Sequence, residues 1–265
     1  MTDWWWAYLA LGAFVGFFSG LLGLGGGSAM VPVMVFIFSA KAFAHEHVVH
    51  LAIGTGMATI LFTSASSVLS HHRRRAVDWN ILRNLVPGVM AGTFLGALIA
   101  GQINVLALSV AFTAFVYYLA TQMLVGASPG ASRRLPGAPG MWLAGGGIGM
   151  LSSFAAIAGA SLTVPFLVRR NVDVHRAIGT AAAVGWPLAA AGTAGYVFTG
   201  WGRPGLPEHS VGFVYLPAMF WITLASVAMA PVGARVAHRT PAARLKKVLA
   251  LVLYALATGM LLSLL

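Results

Sequence analysis

The chain carries two short strings whose residue types suit the holding of an anion. The first is Gly23-Leu-Gly25-Gly26-Gly27-Ser28, followed by Pro32; the second is Ile157-Ala158-Gly159-Ala160-Ser161, followed by Pro165. Aligned on the prolines, Ser28 falls on Ser161. Each string interrupts an apolar run, and glycine there removes side chains and permits unusual backbone angles. A serine just past the break stands at a helix start, where unpaired N–H groups, the positive end of the helix dipole and a hydroxyl come together. That combination binds anions. In lipid, broken backbone is tolerated only where protein buries it or where it lines a wet cavity. Paired interruptions at corresponding positions point to a binding site between repeats. Close helix packing through small residues is the other use of such glycines.

A second pair of strings follows the first: His50-Leu-Ala-Ile-Gly54-Thr55 and His175-Arg-Ala-Ile-Gly179-Thr180, five identities in six. A threonine beside a glycine either lines a ligand or back-bonds and packs within its helix bundle, and the residues leave both uses open. His50 and His175 lie one turn earlier, at opposite membrane faces, and histidine titrates near neutral pH. They are candidates for gating or attracting an anion, or are interfacial histidines. The candidate binding set is therefore Gly25, Gly26, Gly27, Ser28, Gly54, Thr55, Gly159, Ala160, Ser161, Gly179 and Thr180. The cluster His45-Glu46-His47-Val-Val-His50 invites a metal reading. Its spacing does not set three histidines on one helical face, and it has no copy in the second half, so no metal is assigned. A metal or cation carrier built on that cluster is the alternative, as is a non-transporting membrane scaffold acting through basic loops.

All five acids (Asp3, Glu46, Asp78, Asp173 and Glu208) fall in loops or at segment edges. Proton pumps and cation carriers keep carboxylates inside the membrane; this chain has none there. No nucleotide-binding loop is present, no nucleophile–base–acid set stands out, and there is no cysteine. An enzyme is not expected, nor a cofactor. An anion substrate fits the energetics: with the cell interior negative, each negative charge moving outward gains about 2.3 kcal/mol per 100 mV, so an exporter of a small anion needs no coupling ion.

The elements that must position these residues are membrane helices. The chain has 265 residues, 59% hydrophobic and 8% charged, with a mean hydropathy of +0.86. Soluble domains carry roughly 25% charged residues. Hydropathy marks ten segments, near 5–22, 28–39, 48–70, 82–101, 104–124, 140–157, 161–169, 176–200, 211–235 and 244–264. The second and seventh are too short to span at about 1.5 Å per residue. The start, Asp3-Trp4-Trp5-Trp6, reads as an interfacial anchor without the positive region of a signal peptide.

The net charge of +11 comes from clusters between apolar segments, which suits anionic lipid and not nucleic acid. One set of alternate loops holds fourteen cations, among them Arg73–Arg75, Arg83, Arg133, Arg134, Arg169, Arg170 and Arg176; the other holds Lys41 and Arg203. The positive-inside rule puts the crowded loops in the cytoplasm and both termini outside. Five segments per half, an odd number, make the halves inverted copies. The expected fold is an all-α polytopic membrane protein: residues 1–125 form one repeat, 126–140 a cytoplasmic linker and 141–265 the inverted second repeat. Discontinuous or re-entrant helices are expected near 20–39 and 149–169.

The string Gly16-Phe-Phe-Ser-Gly20-Leu-Leu-Gly-Leu-Gly-Gly-Gly27-Ser28 with Pro32, together with the paired Ala-Ile-Gly-Thr strings, resembles the sulfite exporter TauE/SafE family of membrane permeases. The resemblance covers nearly the whole chain. It implies a bacterial inner-membrane, multi-pass permease that moves sulfite, organosulfonates or related small sulfur anions, usually outward. The partners expected are that anion and membrane lipid, with homo-oligomerisation left open. The second glycine string departs from the family pattern, being reduced to Ala158-Gly159-Ala160.

Overall fold

The computed structural model describes residues 4–22, 27–73, 75–125, 134–157, 159–237 and 242–264. Among them are ten helices: α1 (Trp5–Leu22), α2 (Gly27–Ala40), α3 (Val48–Arg73), α4 (Trp79–Ala100), α5 (Val105–Val125), α6 (Ala138–Ala155), α7 (Ala160–Val168), α8 (Val174–Gly200), α9 (Leu216–Ala237) and α10 (Ala242–Leu262). Five of these, α3, α4, α5, α8 and α9, are long and apolar enough to cross a membrane. Outward faces carry bare apolar side chains such as Trp142, Leu143, Phe220 and Leu224, which in water would be a liability and in lipid are the matching surface. The molecule is an all-α, multi-pass membrane protein.

The ten segments read from hydropathy correspond to the ten helices, with instructive differences. Helices α4 and α8 begin earlier than the apolar runs, because Asp78 and Asp173 cap them. The Asp78 carboxylate accepts from the N–H groups of Asn80 and Ile81, and that of Asp173 from those of His175 and Arg176. The ninth segment was expected to start at 211. Instead Ser210–Val211 and Val214–Tyr215 form an antiparallel hairpin, turned at Gly212 with φ of +55°, and α9 starts after it. Val211, Phe213, Val214 and Tyr215 are apolar, so hydropathy cannot separate this hairpin from the helix it feeds. Of the 126–140 segment, residues 126–133 lie outside the described residues, and α6 already begins at Ala138.

Helices α3 and α8 pack on each other at the centre. Around them α1 lies on α9, α6 on α4, and α5 on α10, while the short helices α2 and α7 lie on α3 and α8 respectively. The peripheral pairs approach through glycine. A Cβ at Gly12 or Gly16 of α1 would overlap backbone atoms of Ile222 or Ser226 in α9, and one at Gly88 or Gly92 of α4 would overlap the Trp142 or Gly146 backbone in α6. Small residues let membrane helices meet backbone to backbone, where dispersion and weak polar contacts hold them.

Candidate functional site

The start of α2 meets the end of α6. Helix α6 ends at Ala156, which adopts a left-handed conformation with φ of 48°, and α7 restarts after Gly159, whose φ is +21°. The carbonyl of Gly159 accepts the N–H groups of Leu162 and Thr163, making it the first carbonyl of α7. From the other half, Gly27 opens α2. It sits so close to the Ala156 carbonyl that a Cβ on it would collide with that oxygen. Gly56 of α3 completes the approach: a Cβ there would press on Ala156 Cβ and on Met30. At about 1.5 Å per residue, α2 with 14 residues and α7 with 9 are roughly 21 and 14 Å long, short of a hydrocarbon core of about 30 Å. Each helix therefore begins inside the protein.

Ser28 and Ser161, in the first turns of α2 and α7, are half-buried, while Gly27, Gly159 and Ala160 are buried. Gly25 and Gly26 lie outside the described residues. Two residues that the motifs did not single out flank the second break. Ser152, in the last turn of α6, and Thr163, in the first turn of α7, are fully buried, and neither hydroxyl has a hydrogen-bond partner among the described residues. Thr163 Oγ1 faces Gly159, 3.6 Å from where a Cβ there would be. A buried hydroxyl without a partner is costly, so these two stand out. Ser152 falls on Ser19 in the first half when the strings are aligned, a signal the sequence did carry; Thr163 falls on Met30, and nothing marks it.

Gly54, Thr55, Gly179 and Thr180 are fully enclosed, and their environment is backbone. Thr55 Oγ1 accepts the N–H of Tyr215 at 2.9 Å, and Gly54 lies against the Phe213 carbonyl. Thr180 Oγ1 accepts the N–H of Asp78 at 2.9 Å, and Gly179 lies against the Ala76 carbonyl. Tyr215 immediately precedes α9 and Asp78 immediately precedes α4. Each Gly-Thr pair thus grips the residues leading into a helix of the other half.

The two histidines share a motif position but not an environment. His50 is buried, its Nε2 donating between the carbonyls of Ala100 and Ile103 at 3.1 and 3.0 Å, its ring stacked on Phe213. His175 is exposed at the start of α8. His47 Nε2 lies 3.2 Å from the Pro204 carbonyl and 3.4 Å from Glu46 Oε1. Among the described residues, no group of three histidines or carboxylates is arranged to hold a metal ion.

An apolar helix bundle that buries an interrupted helix is a polytopic membrane architecture, and the family and relatives it matches make it a membrane transporter for a small molecule. The chain belongs to the sulfite exporter TauE/SafE family, whose profile matches residues 8–260. It is 35% identical to a "Probable membrane transporter protein" of Haemophilus influenzae over 256 residues, covering 96% of this chain and 97% of that one. It is 24% identical to "Probable membrane transporter protein YdhB" of Bacillus subtilis, covering 88% and 90% of the two chains. It is 23% identical to "Probable membrane transporter protein MJ0441" of Methanocaldococcus jannaschii, covering 96% and 94%. No solved structure matches the chain.

Proposed function

We infer that this transporter carries a small oxyanion, sulfite or an organosulfonate, outward across a bacterial inner membrane by alternating access, and holds it where the start of α2 meets the end of α6. The observation that carries the reading is the contact of Gly27 with the Ala156 carbonyl, which sets the start of α2 against the end of α6, four residues before α7 begins. Helix starts present N–H donors and positive dipole ends to an anion. Ser28 and Ser161 would add hydroxyls, and Gly25, Gly26, Gly27, Gly159 and Ala160 would leave the backbone open to it. The unpartnered Ser152 and Thr163 hydroxyls support a polar occupant. Gly54, Thr55, Gly179 and Thr180 act as positioning residues, given their backbone partners. His50, tied to two carbonyls, fits a positioning role, and His175 stays free at the cytoplasmic mouth.

The packing supports an inverted five-plus-five repeat, since α1 on α9 answers α6 on α4, and α2 on α3 answers α7 on α8. The arginine asymmetry supports periplasmic termini. Membership of the sulfite exporter family supports a sulfur oxyanion.

The test is sulfite efflux from proteoliposomes under an imposed potential, with taurine, sulfoacetate and sulfate as competitors. Efflux that quickens with an inside-negative potential and stops in a Ser28→Ala/Ser161→Ala double variant supports the reading. Folded protein that passes no sulfur anion overturns it, and leaves a scaffold acting through the basic loops as the account to pursue.

A further inference from the structure

The face opposite the arginine-rich loops has two cations, Lys41 and Arg203, and they are held in different ways. Arg203 is committed to the protein. Its Nε donates to the Thr199 carbonyl, one terminal nitrogen donates to the Gly101 carbonyl at 2.9 Å and to Gln102 Oε1, and the guanidinium lies over Phe213. Lys41 is not so committed. It follows directly on α2, half-buried, with its ammonium 5.4 Å from the ring centres of Phe43 and Tyr215 and 5.8 Å from that of Tyr8. Its one side-chain hydrogen bond goes to the Tyr215 hydroxyl at 3.3 Å.

Ring faces attract a cation but accept no conventional hydrogen bond. An ammonium has three donors, and among the described residues one of them is met, by the Tyr215 hydroxyl. Among the described residues, no carboxylate lies within ion-pair distance of Lys41. Glu46, the nearest acid along the chain, is turned to His47. Beneath the ammonium, the Tyr8 hydroxyl is buried without a partner. The Tyr215 hydroxyl, having accepted from Lys41, has its own proton to give. The wall is rigid: Tyr8, Phe38, Phe43 and Tyr215 contact one another ring to ring, and the Tyr215 backbone is gripped by Thr55.

We propose that Lys41 and Tyr215 form a second anion subsite at the outer mouth, a station for the same small oxyanion on its way to or from the central site. The proposal rests on the anion-transport reading above. One short helix then joins two stations: α2 begins with Gly27 and Ser28 and ends at Ala40, directly before Lys41. An oxyanion at the mouth completes the ammonium's hydrogen bonds and neutralises a partly buried charge that the protein leaves uncompensated.

The experiment is radiolabelled sulfite exchange in proteoliposomes of sorted orientation, with sulfite varied on one face at a time. Lys41→Gln raises the half-saturating sulfite concentration at the outer face roughly tenfold, as loss of a charge-assisted hydrogen bond does, and leaves the inner-face value unchanged. Lys41→Arg keeps the outer-face value near wild type. Should Lys41→Gln fail to fold, Tyr215→Phe, which keeps the ring wall and removes the hydroxyl, reads the same subsite and raises the outer-face value alone. An unchanged outer-face value, or an equal rise on both faces, overturns the subsite while the Ser28/Ser161 result still upholds the central one. Wild-type protein that exchanges no sulfite at either face overturns both.

Discussion

The hydroxyl of Thr180 accepts the backbone N–H of Asp78 at 2.9 Å, across 102 residues of chain. Asp78 is at once the cap of α4, through its carboxylate, and the anchor of that helix to α8, through its N–H. The same bond recurs between Thr55 and the N–H of Tyr215. A motif repeated in sequence is therefore repeated as a contact, and each copy ties a central helix to the entry of another.

Removing either acceptor strands a buried N–H, which costs about 1–3 kcal/mol. Thr55→Val and Thr180→Val are expected to lower the unfolding midpoint in detergent. Thr55→Ser and Thr180→Ser, which keep the oxygen, are expected to recover most of it. Valine variants as stable as wild type would deny these threonines a positioning role.

Thr163→Val is expected to behave in the opposite way. Its hydroxyl has no partner among the described residues, so an apolar isostere removes a desolvation cost, and stability holds or rises. If the hydroxyl serves the substrate, half-saturating sulfite rises by roughly tenfold. Unchanged affinity alongside raised stability would remove Thr163 from the site.

Gly27→Ala places a methyl group against the Ala156 carbonyl oxygen. The start of α2 must move, and transport is expected to be lost. Gly147→Ala is the matched control, because nothing lies within 4 Å of a Cβ there; flux and stability are expected to stay at wild-type levels. Equal transport in the two variants would mean that the contact of α2 with the end of α6 is dispensable.

His50→Ala removes a donor shared by the carbonyls of Ala100, at the end of α4, and Ile103 and is expected to destabilise by about 1–3 kcal/mol. His175→Ala, on an exposed side chain, is expected to fall within about 0.5 kcal/mol of wild type. Comparable losses from the two would make them functional equivalents after all. Chelators are expected to leave flux unaltered, since the Nε2 atoms of His47 and His50 already face backbone carbonyls and no described group of three ligands is arranged for a metal.

The helices were legible in the sequence because lipid demands long apolar runs, and the second break because Gly159 interrupts one of them. The role of Thr55 and Thr180 was not legible. Their partners are backbone N–H groups far along the chain, and a backbone group has no residue type to betray it. Thr163 was hidden for the converse reason: a lone hydroxyl in a membrane helix commonly back-bonds to its own turn, as Thr93 does to the Val89 carbonyl, and only the folded geometry distinguishes one that does not. The paired histidines share a motif position but differ in burial, His50 buried and His175 exposed, and composition does not record burial.

The glycine face of α1 bears on how the protein is made. Gly12 and Gly16 are shaped to meet Ile222 and Ser226 of α9, a helix that leaves the ribosome only when most of the chain has been translated. Until then the first helix sits in the bilayer with its closest-fitting surface against lipid or the insertion machinery. On the growing chain α1 therefore lacks its main partner until α9 is made, whereas pairs such as α2 with α3 and α4 with α6 are complete earlier. A truncated first half would expose this groove together with the unanswered N–H of Asp78, the kind of surface that membrane quality-control proteases survey.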